Sequence, residues 1–420
     1  MLNTIVSQNR VRTRMQNGPL GPYLTEYAAM LSREGYANET IRQYLRTADQ
    51  FGVWLLEQSL PLCDLSAATI DQYRQWLRLQ LSPSWRQGGF PHYKARGLQK
   101  LTEFLKQQGI LRSDVELKQA TGINKWLEDF DRHLNQVAGY TSATRYNYTH
   151  FARRLLNHLC GTGEPDWSAF QRERITDYMC QEADKVQASS CIQHVTAIRA
   201  FLRFLAMRGV IPGGLEGAVP SVPTWRYSSL PRHISPDEVE RAINACDLAT
   251  PLGVRDRAIF ILLARLGLRA GEVLRLRLDD INWSEGYLAI RPGKNHSERR
   301  LPLSQEVGNA LVKYLKGARP AGTEREIFLC SRPPFRPLRS THLITRMVGK
   351  ALRRVGVELP RSGAHILRHT LATGMARQGT AFKEIADVLG HRSLASTLIY
   401  AKLDLESLAK VATPWPGGVR

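Results

Sequence analysis

The amino-acid sequence predicts a multidomain protein: two mainly α-helical bundle domains followed by a mixed α+β domain with a small antiparallel sheet. Apolar residues recur at helical spacing in two separate segments, a stretch rich in proline and glycine follows, and the last segment combines helical with short strand patterns. We therefore divide the chain into 1–20, an N-terminal tail; 21–112 and 120–211, two helical domains; 212–235, a linker; and 236–420, the α+β domain with a C-terminal tail.

The two helical segments resemble distant copies of each other. At one constant offset, four residues of the first segment match four of the second: Thr40, Tyr44, Phe51 and Leu55 match Thr144, Tyr148, Leu155 and Leu159. Any two amphipathic bundles can be aligned to some extent. Duplication is favoured because the helix order, the tyrosines and a closing glycine, Gly109 or Gly209, all agree.

The linker and the α+β domain differ from the helical segments in their pattern. Proline density between 211 and 236 is incompatible with continuous helices or strands. Beyond it, we expect helices at 256–266, 270–276, 340–355, 365–378 and 381–389. Two strands, 287–291 and 299–303, would be joined as a hairpin by the turn formers of 292–298.

Charge, cysteines and hydropathy narrow the class of protein. Lys and Arg total 58 against 38 Asp and Glu, a net charge of +20, which points to a polyanion such as nucleic acid; a generally basic protein is the alternative. The sequence contains no Cys-x-x-Cys pair that would indicate a zinc site, so we expect the cysteines to be reduced thiols. No secretory signal or apolar run of about 18 residues is apparent, so we expect a cytoplasmic, nucleoid-associated protein without a membrane role.

The α+β domain carries polar residues suited to attack on a phosphodiester. Two arginines, Arg269 and Arg368, can meet the negative charge that builds on non-bridging oxygens, because each guanidinium binds two oxygens and never titrates. Tyr400 offers a nucleophilic hydroxyl whose ordinary pKa is near 10. A base must therefore accept its proton, and an acid must protonate the leaving alcohol.

The spacing of the remaining candidates agrees with this chemistry. His365 lies three residues before Arg368, so on a helix both side chains share a face. His391 follows a helix end, and Tyr400 comes nine residues later, after a helix N-cap at Ser393. Lys294 lies on the hairpin, where a flexible side chain can reach a leaving group. Taken singly, each of these residues has an ordinary structural explanation; their occurrence together, in one order and in one domain, indicates a site.

This combination resembles the tyrosine recombinase (phage integrase-like) family. The matching residues, in chain order, are Arg269 with Glu272, Lys294, His365 with Arg368, the histidine of Leu389-Gly390-His391, and Tyr400. The resemblance covers roughly residues 236–405. It implies that Glu272 supports the site and that the other six residues are catalytic.

The resemblance also implies roles for these residues. The two arginines and His391 would bind the scissile phosphate, Lys294 would protonate the leaving 5′ oxygen, and His365 would assist as base. A 3′-phosphotyrosyl link at Tyr400 would store the energy of the broken ester, so no metal, ATP or other cofactor is expected. The adjacent Asp279 and Asp280 are interpreted as turn residues and not as metal ligands.

Partners follow from the same resemblance. We expect double-stranded DNA, held in a clamp by the second helical segment as core-binding domain and by the catalytic domain. The first segment would grip flanking DNA or contact proteins. A synaptic tetramer on DNA is expected, with the tail beyond Tyr400 docking on a neighbouring subunit or packing on its own domain. Other recombinases and accessory DNA-bending proteins are further candidates.

Integration or excision of a mobile element is the favoured role, and chromosome or plasmid resolution uses the same chemistry. Two other functions stay open: a type IB-like topoisomerase, and a catalytically silent, sequence-specific DNA-binding protein.

Overall fold

The computed structural model describes residues 5–6, 9–80, 92–111, 122–161, 163–185, 188–221, 232–292, 298–358, 363–391 and 393–403. The chain divides into two compact units. One contains residues 1–50 and 227–420, and the other contains residues 51–226. No helix in the described ranges is both long and apolar enough to cross a membrane.

The N-terminal part is helical. Its helices are α1 (Asn9–Asn17), α2 (Gly21–Arg33), α3 (Asn38–Glu57), α4 (Ala67–Gln80) and α5 (His92–Gln107), with a 3₁₀ turn at Leu62–Asp64. Helix α1 lies within the segment assigned to a tail. The apolar stripe of α3 is buried along its length, because its apolar residues recur every three or four positions.

The following segment has the same succession of elements as the part of the chain from α2 to α5. Its helices are α6 (Ile123–Gln136), α7 (Ser142–Cys160), α8 (Arg172–Ala183) and α9 (Ala188–Met207), and a 3₁₀ turn at Trp167–Ala169 lies where the first segment has Leu62–Asp64. Thr141 caps α7 by accepting a hydrogen bond from the Thr144 amide. Buried Phe130, Leu156 and Phe201 belong to one core shared by these helices. The helices of the two segments thus follow a common order, and duplication stays a prediction.

The C-terminal segment mixes helices with a small sheet. Its helices are α10 (Pro236–Asn244), α11 (Pro251–Arg265), α12 (Ala270–Arg275), α13 (Gln305–Gly317), α14 (Thr341–Arg354), α15 (His365–Arg377) and α16 (Phe382–Leu389). Strands β1 (Ile281–Asn282), β2 (Tyr287–Ile290) and β3 (Arg299–Pro302) form an antiparallel sheet in the order β1-β2-β3. Two 3₁₀ turns, Leu394–Ser396 and Leu398–Leu403, follow α16.

The register of the sheet determines which side chains face the core. Leu288 pairs with Leu301, and Ile290 pairs with Arg299. Because side chains alternate along a strand, Arg299 shares its strand face with the buried Leu301. Helix α11 lies at the centre of this C-terminal segment. Its residues from Ala258 to Leu263 are all buried.

The predicted fold class is confirmed: a mainly helical, multidomain chain with a small antiparallel sheet. The expected helices and the β2–β3 hairpin occur at the predicted places. Helices α10 and α13 and the short strand β1 were not predicted. The hairpin lysine Lys294, residues 222–231 of the linker and the tail at 404–420 lie outside the described residues.

Candidate active site

The turn between α11 and α12 places Arg269 at the start of a helix. Helix α11 ends at Arg265, and Gly267 then adopts φ +60°, a left-handed conformation that glycine accepts without strain. A Cβ atom at Gly267 would lie 2.7 Å from Leu389 Cδ2. Glycine is therefore required at this position for two reasons: the left-handed backbone conformation and the close approach to Leu389 at the end of α16.

The guanidinium groups of Arg269 and Arg368 are anchored to backbone carbonyls at the end of α16. Arg368 donates from Nη1 to Gly267 O at 2.7 Å and from Nη2 to Leu389 O at 2.5 Å. Arg269 donates from Nη2 to Gly390 O at 3.0 Å. Partial negative charge collects at the C-terminus of a helix, so the Leu389 and Gly390 carbonyls at the end of α16 are favourable partners for arginine. The two predicted phosphate-binding arginines are thus positioned by one short stretch of chain.

A buried carboxylate, Glu272, holds Arg269 together with a second arginine. Arg269 Nη1 donates to Glu272 Oε1 at 2.9 Å, and the Arg269 amide donates to Glu272 Oε2 at 2.8 Å. Arg299 donates to both carboxylate oxygens, at 3.1 and 2.9 Å, and its Nε donates to Val388 O at 3.1 Å. Burial disfavours the charged carboxylate, but the hydrogen bonds from Arg299 and the Arg269 amide outweigh it and lower the pKa of Glu272 to about 2.

Sequence reasoning did not single out Arg299. A signal was present, because the strand alternation places Arg299 on the face of β3 that carries Leu301. An arginine on the core face of a strand requires a buried anionic partner. Glu272, three residues after Arg269, supplies that partner.

His391 follows the end of α16 and contacts a buried threonine. Gly390 takes φ +62° and reverses the chain, and His391 Nδ1 then lies 2.7 Å from Thr397 Oγ1. Thr397 is fully buried, so this contact fixes the imidazole ring. Burial lowers the pKa of His391 to about 4, and the charges of Arg368 and Arg269 act in the same direction. The imidazole is therefore neutral at neutral pH.

Tyr400 is buried, with 1% of its surface exposed. Its ring belongs to a small apolar cluster with Leu389, Ile385, Ala372 and Ala376. Burial raises the pKa of Tyr400 to about 12, and the charge of Arg368 opposes this shift. The hydroxyl is therefore protonated at neutral pH and needs a base to become a nucleophile.

Within the described part of the chain, the imidazole in hydrogen-bonding distance of Tyr400 is that of His369. Its Nδ1 lies 2.7 Å from Tyr400 Oη. Sequence reasoning named His365 and missed His369, although His369 lies one helical turn later on the same face of α15.

A cavity of about 350 Å³ adjoins the arginines. Arg269, Arg275, His365, Thr341 and Thr345 are among its lining residues. It offers guanidinium, imidazole and hydroxyl groups, all of which can donate hydrogen bonds to phosphate oxygens. The buried Tyr400 does not line it.

The structure thus brings Arg269, Glu272, Arg368 and His391 together around the end of α16. It places Tyr400 on the same unit, against α15, and it places His365 at the cavity. Lys294 follows β2 and precedes β3 in a segment that the structure does not describe. Asp280 accepts a hydrogen bond from the Arg277 amide, and its other oxygen contacts Arg291 Nε. Among the described residues, no group of three or more potential ligand residues is placed to hold a metal ion.

The sequence has close relatives over its full length. The profile of the phage integrase family matches residues 232–406. A Sinorhizobium fredii protein (strain NBRC 101917 / NGR234), y4rA, whose name describes it as an integrase/recombinase, is 34% identical over 406 residues, covering 96% of this chain and 97% of the relative. The chain belongs to the phage integrase family. A second integrase/recombinase of that strain, y4rF, is 45% identical over 424 residues, covering 100% of the chain and 96% of the relative.

Proteins named as tyrosine recombinases match over a shorter span. The tyrosine recombinase XerC of Vibrio cholerae serotype O1 (strain M66-2) is 28% identical over 289 residues, covering 68% of this chain and 90% of XerC. The prediction of a tyrosine recombinase is therefore confirmed at the level of family and enzyme class.

Solved structures confirm the fold expected for the phage integrase family. The site-specific recombinase XerH bound to a palindromic difH substrate matches with TM-score 0.53 and 14% identity, covering 70% of this chain and 98% of that one. A lambda integrase dimer bound to a COC′ core site also gives TM-score 0.53, with 17% identity, and covers 74% and 88%.

Proposed function

We propose that the protein is a site-specific DNA recombinase that cleaves and rejoins strands through a 3′-phosphotyrosyl link at Tyr400. One observation carries this proposal: three residues proposed to bind phosphate meet at a single helix end. Arg269 and Arg368 both donate to carbonyls of Leu389 or Gly390, and His391 is the next residue. Donors fixed before the substrate arrives stabilise developing charge without reorganisation.

The proposed reaction assigns one task to each group. Arg269, Arg368 and His391 hold the non-bridging oxygens of the scissile phosphate. The Tyr400 oxygen attacks phosphorus, and Lys294 protonates the leaving 5′ oxygen. A 5′ hydroxyl from another strand then attacks the phosphotyrosyl link and releases the tyrosine. The link keeps the energy of the broken ester, so the scheme requires neither a metal ion nor ATP.

Glu272 supports the site without touching DNA in this scheme. It holds Arg269 and Arg299 in fixed positions, and its lowered pKa keeps it charged. His365 lines the cavity beside Arg269, which is consistent with a role near the phosphate.

Double-stranded DNA is the proposed substrate. The net charge of +20 supports this, as do relatives and neighbours named as recombinases or solved with DNA. We assign residues 120–211 as the core-binding domain, 236–420 as the catalytic domain and 212–235 as the linker between them. Residues 21–112 form an additional domain for flanking DNA or protein contacts. Association with the nucleoid follows from DNA binding.

A synaptic tetramer and a mobile-element role complete the proposal. Exchange needs two duplexes and four cleavable strands, hence four copies of Tyr400. The relatives described as integrase/recombinase favour integration or excision of an element. Accessory DNA-bending proteins or other recombinases would act at the same sites.

The proposal is tested first by covalent capture. The DNA sequence protected by the purified protein supplies the site, and a nicked version of it traps the adduct. Tyr400→Phe removes one hydroxyl, so DNA binding should persist while the SDS-resistant adduct disappears. Tyr314→Phe is the matched control: it removes another buried hydroxyl of the same unit, one that accepts from the Leu329 amide.

The control variant should retain the adduct. An adduct that persists in Tyr400→Phe would show that another residue attacks the phosphate. Products joined between two duplexes identify a recombinase, whereas relaxation of one supercoiled duplex without strand exchange would identify a topoisomerase.

A further inference from the structure

Tyr400 and His369 form a hydrogen-bonded pair inside the C-terminal segment. The Tyr400 Oη to His369 Nδ1 distance is 2.7 Å, and the ring centroids lie 5.8 Å apart. The length is typical of a strong hydrogen bond to a hydroxyl. Because α15 and the 3₁₀ turn at Leu398–Leu403 carry one partner each, the pair depends on tertiary packing.

Three rings connect the buried hydroxyl to the cavity. Tyr400 is buried, His369 is half-buried, and His365 is exposed and lines the cavity beside Arg269. The His365 and His369 ring centroids are 6.1 Å apart. A proton that leaves Tyr400 through His369 therefore moves towards the water-accessible side of the site.

The electrostatic surroundings keep His369 neutral. Burial lowers its pKa to about 4, and its neighbours His365 and Arg368 on α15 act in the same direction. From the other elements packed against α15, it is faced by His391 and by Tyr400. A neutral imidazole has one ring nitrogen free to accept, and Nδ1 serves if the proton is on Nε2.

We propose that His369 Nδ1 accepts the proton of Tyr400 Oη as that oxygen attacks the scissile phosphate. This assignment rests on the proposed role of Tyr400 as nucleophile. The Oη–H bond breaks and an N–H bond forms on His369, while the Oη–P bond forms and the P–O5′ bond breaks. The leaving O5′ receives a proton from the separate acid. During rejoining, His369 returns its proton to Tyr400.

The test is the pH dependence of single-turnover adduct formation on a nicked substrate. His369→Asn places an amide oxygen near the position of Nδ1, so it can accept a hydrogen bond but cannot take a proton. Wild type should cleave at a constant rate between pH 6 and pH 8, because His369 stays neutral there. The variant should be about 10² to 10⁴ times slower at pH 7, with a rate that rises about tenfold per pH unit.

His365→Asn is the comparison variant, on the same helix but without the contact to Tyr400. It should be slower than wild type with a flat profile. Three results would overturn the proposal: a His369→Asn rate within threefold of wild type, a slow but flat His369→Asn profile, or the rising profile in His365→Asn instead.

Two further measurements keep the test decisive. If His369→Asn loses half-site binding, His369→Ala replaces it: a rate that increases with added imidazole supports the proton acceptor, and an unchanged rate overturns it. Failure of the proposed function itself is recognised separately, because Tyr400→Phe would then still form the adduct.

Discussion

Arg299 contacts both carboxylate oxygens of Glu272, at 3.1 and 2.9 Å, and thereby joins the first residue of β3 to α12. Both side chains are more than nine-tenths buried. The same carboxylate holds Arg269, so Arg299 positions this proposed phosphate-binding residue without touching it. Removing one partner of a buried ion pair leaves the other charge uncompensated.

Arg299→Ala should destabilise the protein by about 3 kcal/mol and lower the cleavage rate by at least tenfold. Urea unfolding and single-turnover adduct formation measure the two effects. Arg300→Ala is the matched control, because Arg300 is exposed and stacks over the Tyr287 ring at 4.8 Å. The Arg300→Ala control should lower the free energy of unfolding by less than about 1 kcal/mol. Equal effects of both substitutions would contradict a positioning role for Arg299.

Gly390→Ala should lower the cleavage rate much more than Gly379→Ala does. The added Cβ would lie 2.5 Å from Arg299 Nη1, at a residue with φ +62°. Gly379→Ala is the control, since Gly379 has φ +77° and nothing within 4 Å of its added Cβ. Both variants should lose about 1 to 2 kcal/mol from backbone strain. An extra cleavage defect in Gly390→Ala alone measures the displacement of Arg299.

Arg368→Lys should lower the cleavage rate by about 10² to 10³ while half-site affinity changes little. One ammonium cannot reproduce the separate bonds from Nη1 to Gly267 O and from Nη2 to Leu389 O. Adduct formation and gel-shift titration give the two quantities. A near-normal cleavage rate would remove Arg368 from phosphate binding.

Lys294→Ala should cleave normal DNA slowly but recover on a substrate with a 5′-bridging phosphorothiolate. Sulfur leaves as a thiolate and needs no proton donor, whereas an alkoxide does. The ratio of the two cleavage rates, in variant and in wild type, measures the rescue. An equal defect on both substrates would assign Lys294 to phosphate binding instead.

The free energy of unfolding of the C-terminal segment should fall on acidification from about pH 6.5 towards pH 4. The folded-state pKa values of His369 and His391, about 4, lie below the ordinary value of 6.5. The unfolded chain therefore binds more protons in this window, and stability is complete above it. Urea unfolding between pH 8 and pH 4.5 should show a shallower pH dependence in His391→Asn.

Local patterns were sufficient for much of this domain. The apolar spacing predicted α11, α15 and α16, and the turn formers after β2 predicted the hairpin, because these features depend on neighbours in the chain. Ser235 and Glu238 form a capping box at α10 that indicated a helix start, yet the helix was not predicted.

Contacts across the fold could not be read from such patterns. Arg299 and Glu272 are 27 residues apart, and His369 and Tyr400 are 31 apart. Periodicity shows which face of an element is buried and leaves the partner on the opposing element undetermined. The burial of Tyr400 could not be predicted for the same reason, because it comes from α15 and α16 packing around the ring.

The order in which a ribosome makes the chain has a consequence for the end of α16, whose carbonyls both Arg269 and Arg368 contact. Arg269 emerges 121 residues before Gly390, the residue whose carbonyl anchors it. Until residues 388–390 are synthesised, Arg269 lacks the Gly390 carbonyl, Arg299 lacks the Val388 carbonyl and Arg368 lacks the Leu389 carbonyl. Tyr400, the proposed nucleophile, is made later still. Under the proposed function, a nascent chain therefore cannot cleave DNA before this stretch has been made. Competence for the proposed cleavage is therefore acquired late in synthesis, when most of the polypeptide has already been made.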